Sequence, residues 1–350
     1  MLLNTDYIYP AEITGFVRTA LEDFNINQFT LSSFLPNTMI DDMEYRLLAG
    51  GTGLADAASY RSFDAESPIG PRQQVSRLIG ELPPLSQKLR CGEYDRLRMR
   101  KVTDDKVREQ LFNDARIATR NLAARVELAR GDALTNGKVT ISENGLNGVV
   151  IDYGRNPAHT TTAATLWTSP TSDPLSDLMG WRDTYLATNG VDPGAMVVSR
   201  RVWNLMLRNQ ALRNQVFGGT AQYVGGNQSS IINQSELNNI FAAQGLPPIT
   251  MYQSQVRLNG VAQKVIPDNR VILLPPAVAP DAPEDTQLGG TFWGTTAESL
   301  DPRFGLESDE PGITCGVYSE EDPISMWTKA ASIVLPVLAN PDLSYCATVA

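Results

Sequence analysis

Residues Asp104 to Asn136 constrain this chain more than any other stretch. Val107, Leu111, Ala115, Ala118, Leu122, Val126, Ala129 and Ala133 recur at steps of four and three, a single apolar stripe at the helical period. Arg108, Glu109, Asp114, Arg116, Arg120, Arg125 and Glu127 fall between them and predict a polar surface. Thr103, Asp104 and Asp105 supply a cap and negative charge at one end, and Arg130 sits near the other, where the helix dipole favours a cation. Gly137 follows as a stop. A helix of this extent is about 50 Å long, far beyond the usual three turns, with Gly131 a candidate break into two collinear pieces. Two readings stand at this point: the core helix of an ordinary enzyme, or the spine of a thin, plate-like subunit.

The segments before the spine are short of core-forming material. In residues 1–54, Ile8, Ile13, Phe16, Val17, Leu21 and Phe24 form one apolar cluster and Phe29, Leu31, Phe34 and Leu35 a second, set apart by Pro10 and Pro36. Neither closes a core alone, which predicts an arm lying on another surface. Gly50-Gly51-Thr52-Gly53 marks a flexible break. It is not a dinucleotide fingerprint, because Asp56 occupies the third glycine position. In residues 55–102, Tyr60 to Glu66 and Gln73 to Leu82 flank Pro68-Ile69-Gly70-Pro71, which predicts two extended runs and a turn. A polar two-stranded loop does not stabilise itself in water, and a neighbouring subunit is the natural support. Pro83-Pro84 then redirects the chain toward the spine.

After the spine, Lys138 to Tyr153 alternates around Asn144-Gly145 and Asn147-Gly148, the pattern of a β-hairpin. Helices are predicted at Pro174–Thr188, Val202–Leu212 and Ser235–Ala243. Strands are predicted at Ala195–Val198, Ile249–Val256, Gln263–Ile266, Arg270–Leu274, Ser332–Val337 and Ser344–Val349. This is an α+β inventory without a fixed repeat.

Charge and chemistry narrow the function. The net charge is −10, which argues against tight sequence-independent nucleic-acid binding. Bases outnumber acids between Lys88 and Arg130, whereas from Asp281 to Asp322 Arg303 is the one base among Glu284, Asp285, Glu298, Asp301, Glu307, Asp309, Glu310, Glu320 and Glu321. Such patches meet across a repeated interface if copies of the chain touch. The single histidine, His159, leaves little room for a metal site or a Ser-His-Asp triad, and an exposed loop position is expected for it. Cys91, Cys315 and Cys346 suit neither a disulfide framework nor a metal cluster. No phosphate loop, nucleophile elbow or calcium-loop spacing occurs. No cofactor, metal or catalytic residue is therefore predicted. No apolar run reaches membrane-spanning length, and the first residues lack the pattern of a secretion signal, so synthesis in the cytosol is expected.

The order of parts resembles the tailed-phage major capsid fold: an arm, a polar extension, a long helix, a hairpin, an α/β region and returning strands. Leu134 to Arg155, Pro267-Asp268-Asn269 before Val271-Ile272-Leu273-Leu274, and Leu338-Ala339-Asn340-Pro341-Asp342 are similar to segments of the phage lambda major capsid protein E family. The resemblance implies a non-enzymatic shell subunit that forms hexamers and pentamers of an icosahedral head around double-stranded DNA. It implies scaffold, portal and cement proteins as partners, no membrane, and assembly in the host bacterial cytoplasm. It divides the chain into an N-terminal arm (1–54), an extended loop (55–102), a P-domain (103–170 and 323–350) and an A-domain (171–322). Candidate contacts between subunits are Tyr60, Arg61, Glu66, Arg72, Arg77, Lys88, Arg90, Arg116, Arg120, Arg125, Glu307 and Glu310. Some capsids of this fold carry a lysine–asparagine cross-link, for which Lys88 and Asn340 are the candidates, but the lambda-like branch implies none. An encapsulin-like compartment shell and a soluble α+β enzyme are the alternatives.

Overall fold

The chain was analysed as a computed structural model, which describes residues 2–49, 58, 60–64, 66, 76–99, 103–143, 145–217, 232–306 and 310–350; at 46–49, 76–79, 96, 98, 99, 146 and 147 only the backbone is described. In chain order, β1 (Leu2–Leu3) precedes helix α1 (Pro10–Asn27), a 3₁₀ turn (Thr30–Ser33), β2 (Asn37–Met39) and β3 (Glu44–Ala49). Then come β4 (Ser76–Glu81), β5 (Pro84–Cys91), α2 (Glu93–Met99), α3 (Asp104–Asn136), β6 (Lys138–Glu143), β7 (Leu146–Asp152) and β8 (Thr160–Thr162). Next are α4 (Pro174–Asn189), β9 (Ala195–Val198), α5 (Arg200–Arg208), α6 (Gln210–Phe217), α7 (Gln234–Ala243), β10 (Ile249–Met251), β11 (Gln255–Leu258) and β12 (Val261–Lys264). The chain ends with β13 (Arg270–Leu274), β14 (Gly289–Gly294), β15 (Thr314–Glu321), β16 (Ile324–Leu338) and β17 (Tyr345–Thr348).

The spine is one unbroken helix. Thr103 stands at its N-cap without a side-chain bond to the helix, and Gly137 ends it in the left-handed conformation (φ 67°). Gly131 does not interrupt it. A Cβ there would lie 2.3 Å from the Val265 carbonyl oxygen, so the glycine lets a second segment press against the helix backbone. The first half of the helix buries one stripe, as the spacing predicts. From Val126 to Thr135 it is buried on nearly every side, which overturns the surface position expected of Glu127 and the helix-end position expected of Arg130.

Two sheets sandwich the spine. In the first, β16 is the long central strand: β15 and β14 pair in tandem along one side, β1 and β2 lie beyond them, and β5 pairs along the other side. Pro336 interrupts the apolar run of β16 beyond the end of β5, where its missing N–H leaves no ladder bond unmade. The second sheet has the order β10-β9-β13-β17-β8. Its alternation is read on both faces: Val197, Ile272 and Cys346 join the core of the spine, while Met196, Leu273 and Tyr345 join the core beneath α4 to α7.

Several expectations change. Pro10 is the first residue of α1 rather than a break, and Ile13, Val17, Leu21, Phe24, Phe29, Leu31, Phe34 and Leu35 are buried in the chain's own spine core. The other surface that the arm needs is its own helix. The ribbon pairs β4 with β3, not with Tyr60–Glu66, whose described residues form no strand; the predicted turn at 68–71 lies outside the described residues. Val202–Leu212 is two helices parted at Asn209, and Ile249–Val256 is two strands parted at Tyr252. The acidic stretch contains β14 and β15, both paired with β16, so a boundary at 322 would cut a hairpin. β17 belongs to the second sheet.

Candidate assembly interface

A buried polar junction sits on the spine. Glu127 and Arg130 are both 0% exposed and form an ion pair at 3.2 Å. The Glu127 carboxylate also accepts from the Tyr252 hydroxyl at 2.6 Å and the Leu31 amide at 3.0 Å. Arg130 donates to Thr291 at 2.8 Å, to Asn37 at 2.9 Å and to Asn25 at 3.2 Å, and Trp293 donates to the same Asn37 oxygen at 3.0 Å. Burial pushes the Glu127 carboxyl up and the Arg130 guanidinium down, and their mutual attraction opposes both shifts. One pair thereby ties α1, the 3₁₀ turn, β2, β14 and the segment after β10 to one helix turn. A readable signal existed: Val126, Leu128, Ala129, Ala133 and Leu134 ring the helix with apolar residues, leaving no wet face for these charges.

A second arginine finishes the spine. Arg155, after the β6–β7 hairpin, donates to the carbonyls of Leu134 and Thr135 at 2.8 and 2.7 Å, satisfying groups that a helix end leaves open. His159 is buried, not exposed as expected. Its Nε2 lies 3.0 Å from the Thr188 hydroxyl, and its ring sits against Tyr185 and Tyr345. Burial lowers its pKa, with Asp342 opposing that shift and Arg155 adding to it. The residue is a core histidine.

The predicted contact residues divide into three groups. Tyr60, Arg61 and Glu66 are exposed, and Tyr60 and its neighbour Phe63 are 106% and 99% exposed, large rings with nothing packed on them. Arg120 is exposed on the spine. A second group serves the chain itself. Arg125 pairs with Glu143 of the hairpin at 3.3 Å, Glu310 pairs with Arg18, and Arg116 lies 6.0 Å from the Phe24 ring of α1. Lys88 and Arg90 form the third group and meet on one side of β5. Both reach over the half-buried Trp327 ring, at 4.5 and 5.6 Å. Arg72 and Glu307 lie outside the described residues, as does the side chain of Arg77.

Open grooves flank β5. One of about 430 Å³ runs between β5, the spine and β11, one of about 390 Å³ lies between β5, the spine and the hairpin, and one of about 460 Å³ is lined by Ser86, Lys88, Tyr318, Trp327 and Lys329. Among the described residues no cluster of three His, Cys, Asp or Glu side chains could hold a metal. No described helix is long and apolar enough to cross a membrane.

A sequence model of the family described as phage major capsid protein E matches residues 20–349. The chain belongs to that family. It is a phage major capsid protein, a structural subunit that associates with itself into shells. No match is found among curated proteins. Two solved structures are similar over nearly their whole length. A prophage capsid protein from Escherichia coli CFT073 has a TM-score of 0.65 at 15% identity, covering 98% of this chain and 99% of its own. A phage-related protein from Bordetella bronchiseptica RB50 has a TM-score of 0.60 at 12% identity, covering 99% and 97%. At these identities the likeness speaks for the fold, which is that of tailed-phage major capsid proteins.

Proposed function

We propose that this capsid protein forms hexamers and pentamers that close an icosahedral head around double-stranded DNA, with no catalytic role. The observation that carries this is the family match from residue 20 to residue 349. Solvent-facing Tyr60 and Phe63 support it, because large rings held on an extended segment gain by covering a neighbour. Many weak repeated contacts then sum by multivalency. Tyr60, Arg61, Glu66, Lys88, Arg90 and Arg120 are the described residues we assign to neighbouring copies, with Arg72, Arg77 and Glu307 kept as candidates from the sequence. Arg116, Arg125 and Glu310 we assign to the chain's own packing. Scaffold, portal and cement proteins are the further partners. Packaged DNA is touched only non-specifically, and assembly occurs in the host bacterial cytoplasm before the protein resides in the virion.

Sheet membership suggests a modified division. Residues 289–338 go with the spine as the P-domain, and residues 160–274 with the last strand form the A-domain. The arm and the extended loop keep their names, although α1 is packed on the spine. The family match favours a capsid over an encapsulin-like compartment or an enzyme. Negative-stain microscopy and mass photometry of the purified chain test the proposal. Closed shells and capsomer-sized species are expected, whereas a lone compact monomer at every concentration and salt would refute it.

A further inference from the structure

The first sheet has chemically opposite edges. At the β5 edge, Lys88 and Arg90 point away from the core, while Leu85, Leu89 and Cys91 on the alternate positions pack toward the spine. Lys88 is the direct cross-strand neighbour of Lys329, a like-charge pairing that costs stability. Lys329 is offset by Glu298, and the nearby Glu320 accepts from the Trp327 indole at 2.8 Å. Lys88 and Arg90 have only the Trp327 ring beneath them and no carboxylate among the described residues. Two cations are thus held out from the sheet on an aromatic plate.

The β2 edge carries the counterpart. Past β2 the chain 278–287 is fastened by backbone and side-chain bonds: Val278 donates to the Ser33 carbonyl, Asn37 to the Pro280 carbonyl, and Asn340 to the Gln287 carbonyl, each at 2.8 Å. Pro280 and Pro283 stiffen it further. Asp281, Glu284 and Asp285 are exposed there, and none has an ion-pair partner among the described residues. Across β16 from Lys88 and Arg90 lies β15, and β14 with β2 pairs further along β16, so the two sites lie on opposite sides of that strand and are displaced along it.

We propose that the Lys88–Arg90–Trp327 edge of one copy receives the Asp281–Asp285 loop of the next, an electrostatic contact that repeats around the capsomer. This rests on the self-assembly reading above and names one of its interfaces. Both halves are pre-formed, so docking costs little ordering entropy. A contact between two different patches is head-to-tail, the kind that closes rings. The other candidate for a basic edge is nucleic acid. Two exposed cations on a chain of net charge −10 release few counterions and meet repulsion elsewhere, so a second copy is favoured.

The test is a charge exchange in the full chain, read as the fraction of protein in closed shells by sedimentation and negative stain. Thermal melting of the unassembled chains confirms that each variant is folded. The wild type must first form shells; if it does not, it is the self-assembly reading that fails. Given wild-type shells, Lys88→Glu with Arg90→Glu is expected to lower the assembled fraction by about tenfold at low salt. Adding Asp281→Lys, Glu284→Lys and Asp285→Lys to the same chain is expected to restore it to within about twofold of wild type. If the first exchange impairs folding, Lys88→Gln with Arg90→Gln replaces it, and a loss of the salt dependence of assembly is then expected. Unchanged assembly on charge reversal overturns the proposal. So do normal shells with reduced nucleic-acid content, which would assign the edge to DNA, and failure of the acidic-side exchange to rescue.

Discussion

Glu127 and Arg130 show how much a single pair of residues settles. Two charges taken out of water cost several kcal/mol each unless their hydrogen bonds are made, and here the partners come from five different segments. Arg130→Leu leaves the buried Glu127 carboxylate without its counter-charge and removes a donor from Asn25, Asn37 and Thr291. A loss of about 3–5 kcal/mol is expected in urea unfolding of the unassembled chain. Glu127→Leu combined with Arg130→Met should recover much of it, since apolar residues of similar volume leave no buried charge; a double variant as weak as the single would show that the pair itself stabilises. His159 gives a pH signature. Its folded-state pKa lies below the ordinary value, so the unfolded chain binds the proton more readily. The stabilisation is present in full above about pH 6.5 and falls as the pH drops from there toward the folded-state value. Because it is the only histidine, the slope of stability against pH just below about 6.5 should flatten specifically in His159→Gln. An unchanged slope would place the titration elsewhere.

At the scale of elements, periodicity and punctuation were legible and tertiary compensation was not. The spine's limits, the hairpin, β9 and β13 follow from apolar spacing and from Gly or Pro at their ends. Asn209 illustrates what did not follow. Apolar residues Val202, Leu205, Met206 and Leu212 lie on both sides of it, yet the Asn209 side chain accepts from Ala211 and Leu212 at 2.9 and 3.2 Å and donates to Ser172, starting a new helix. Asn209→Ala should cost about 1–2 kcal/mol, as lost caps do, with circular dichroism showing little loss of helix in the native state. β14 and β15 were hidden because charged connecting turns dominate the composition of that stretch. Among the candidate contacts, charge alone could not separate residues bound within the chain, such as Arg125, from residues left free, such as Lys88. Gly131 read as a weakness from sequence, whereas in the fold it is the point of closest approach to the Val265 carbonyl. Ala is the better helix former by about 1 kcal/mol, but Gly131→Ala must displace backbone. A net loss of about 1–3 kcal/mol is expected from such overpacking; a stabilised variant would mean that the segment yields freely.

The described residues form two apolar cores, yet the second sheet is a wall shared between them. Val197, Ile272 and Cys346 face the spine, and their sequence neighbours Met196, Leu273 and Tyr345 face α4 to α7. Separate domains joined by a linker unfold separately, but here neither core can open without baring one side of β9, β13 and β17. The unassembled subunit is therefore expected to unfold in one transition despite its length. Tryptophans report on each side: Trp293 lies in the spine core, and Trp167, Trp181 and Trp203 lie in the other. With fluorine-labelled tryptophans assigned by single replacements, the Trp293 and Trp203 signals should vanish together along a denaturant series. Arg130→Leu, which touches only the spine core, should move both midpoints equally. If Trp203 kept its native signal after that of Trp293 was gone, the shared wall would not couple the cores.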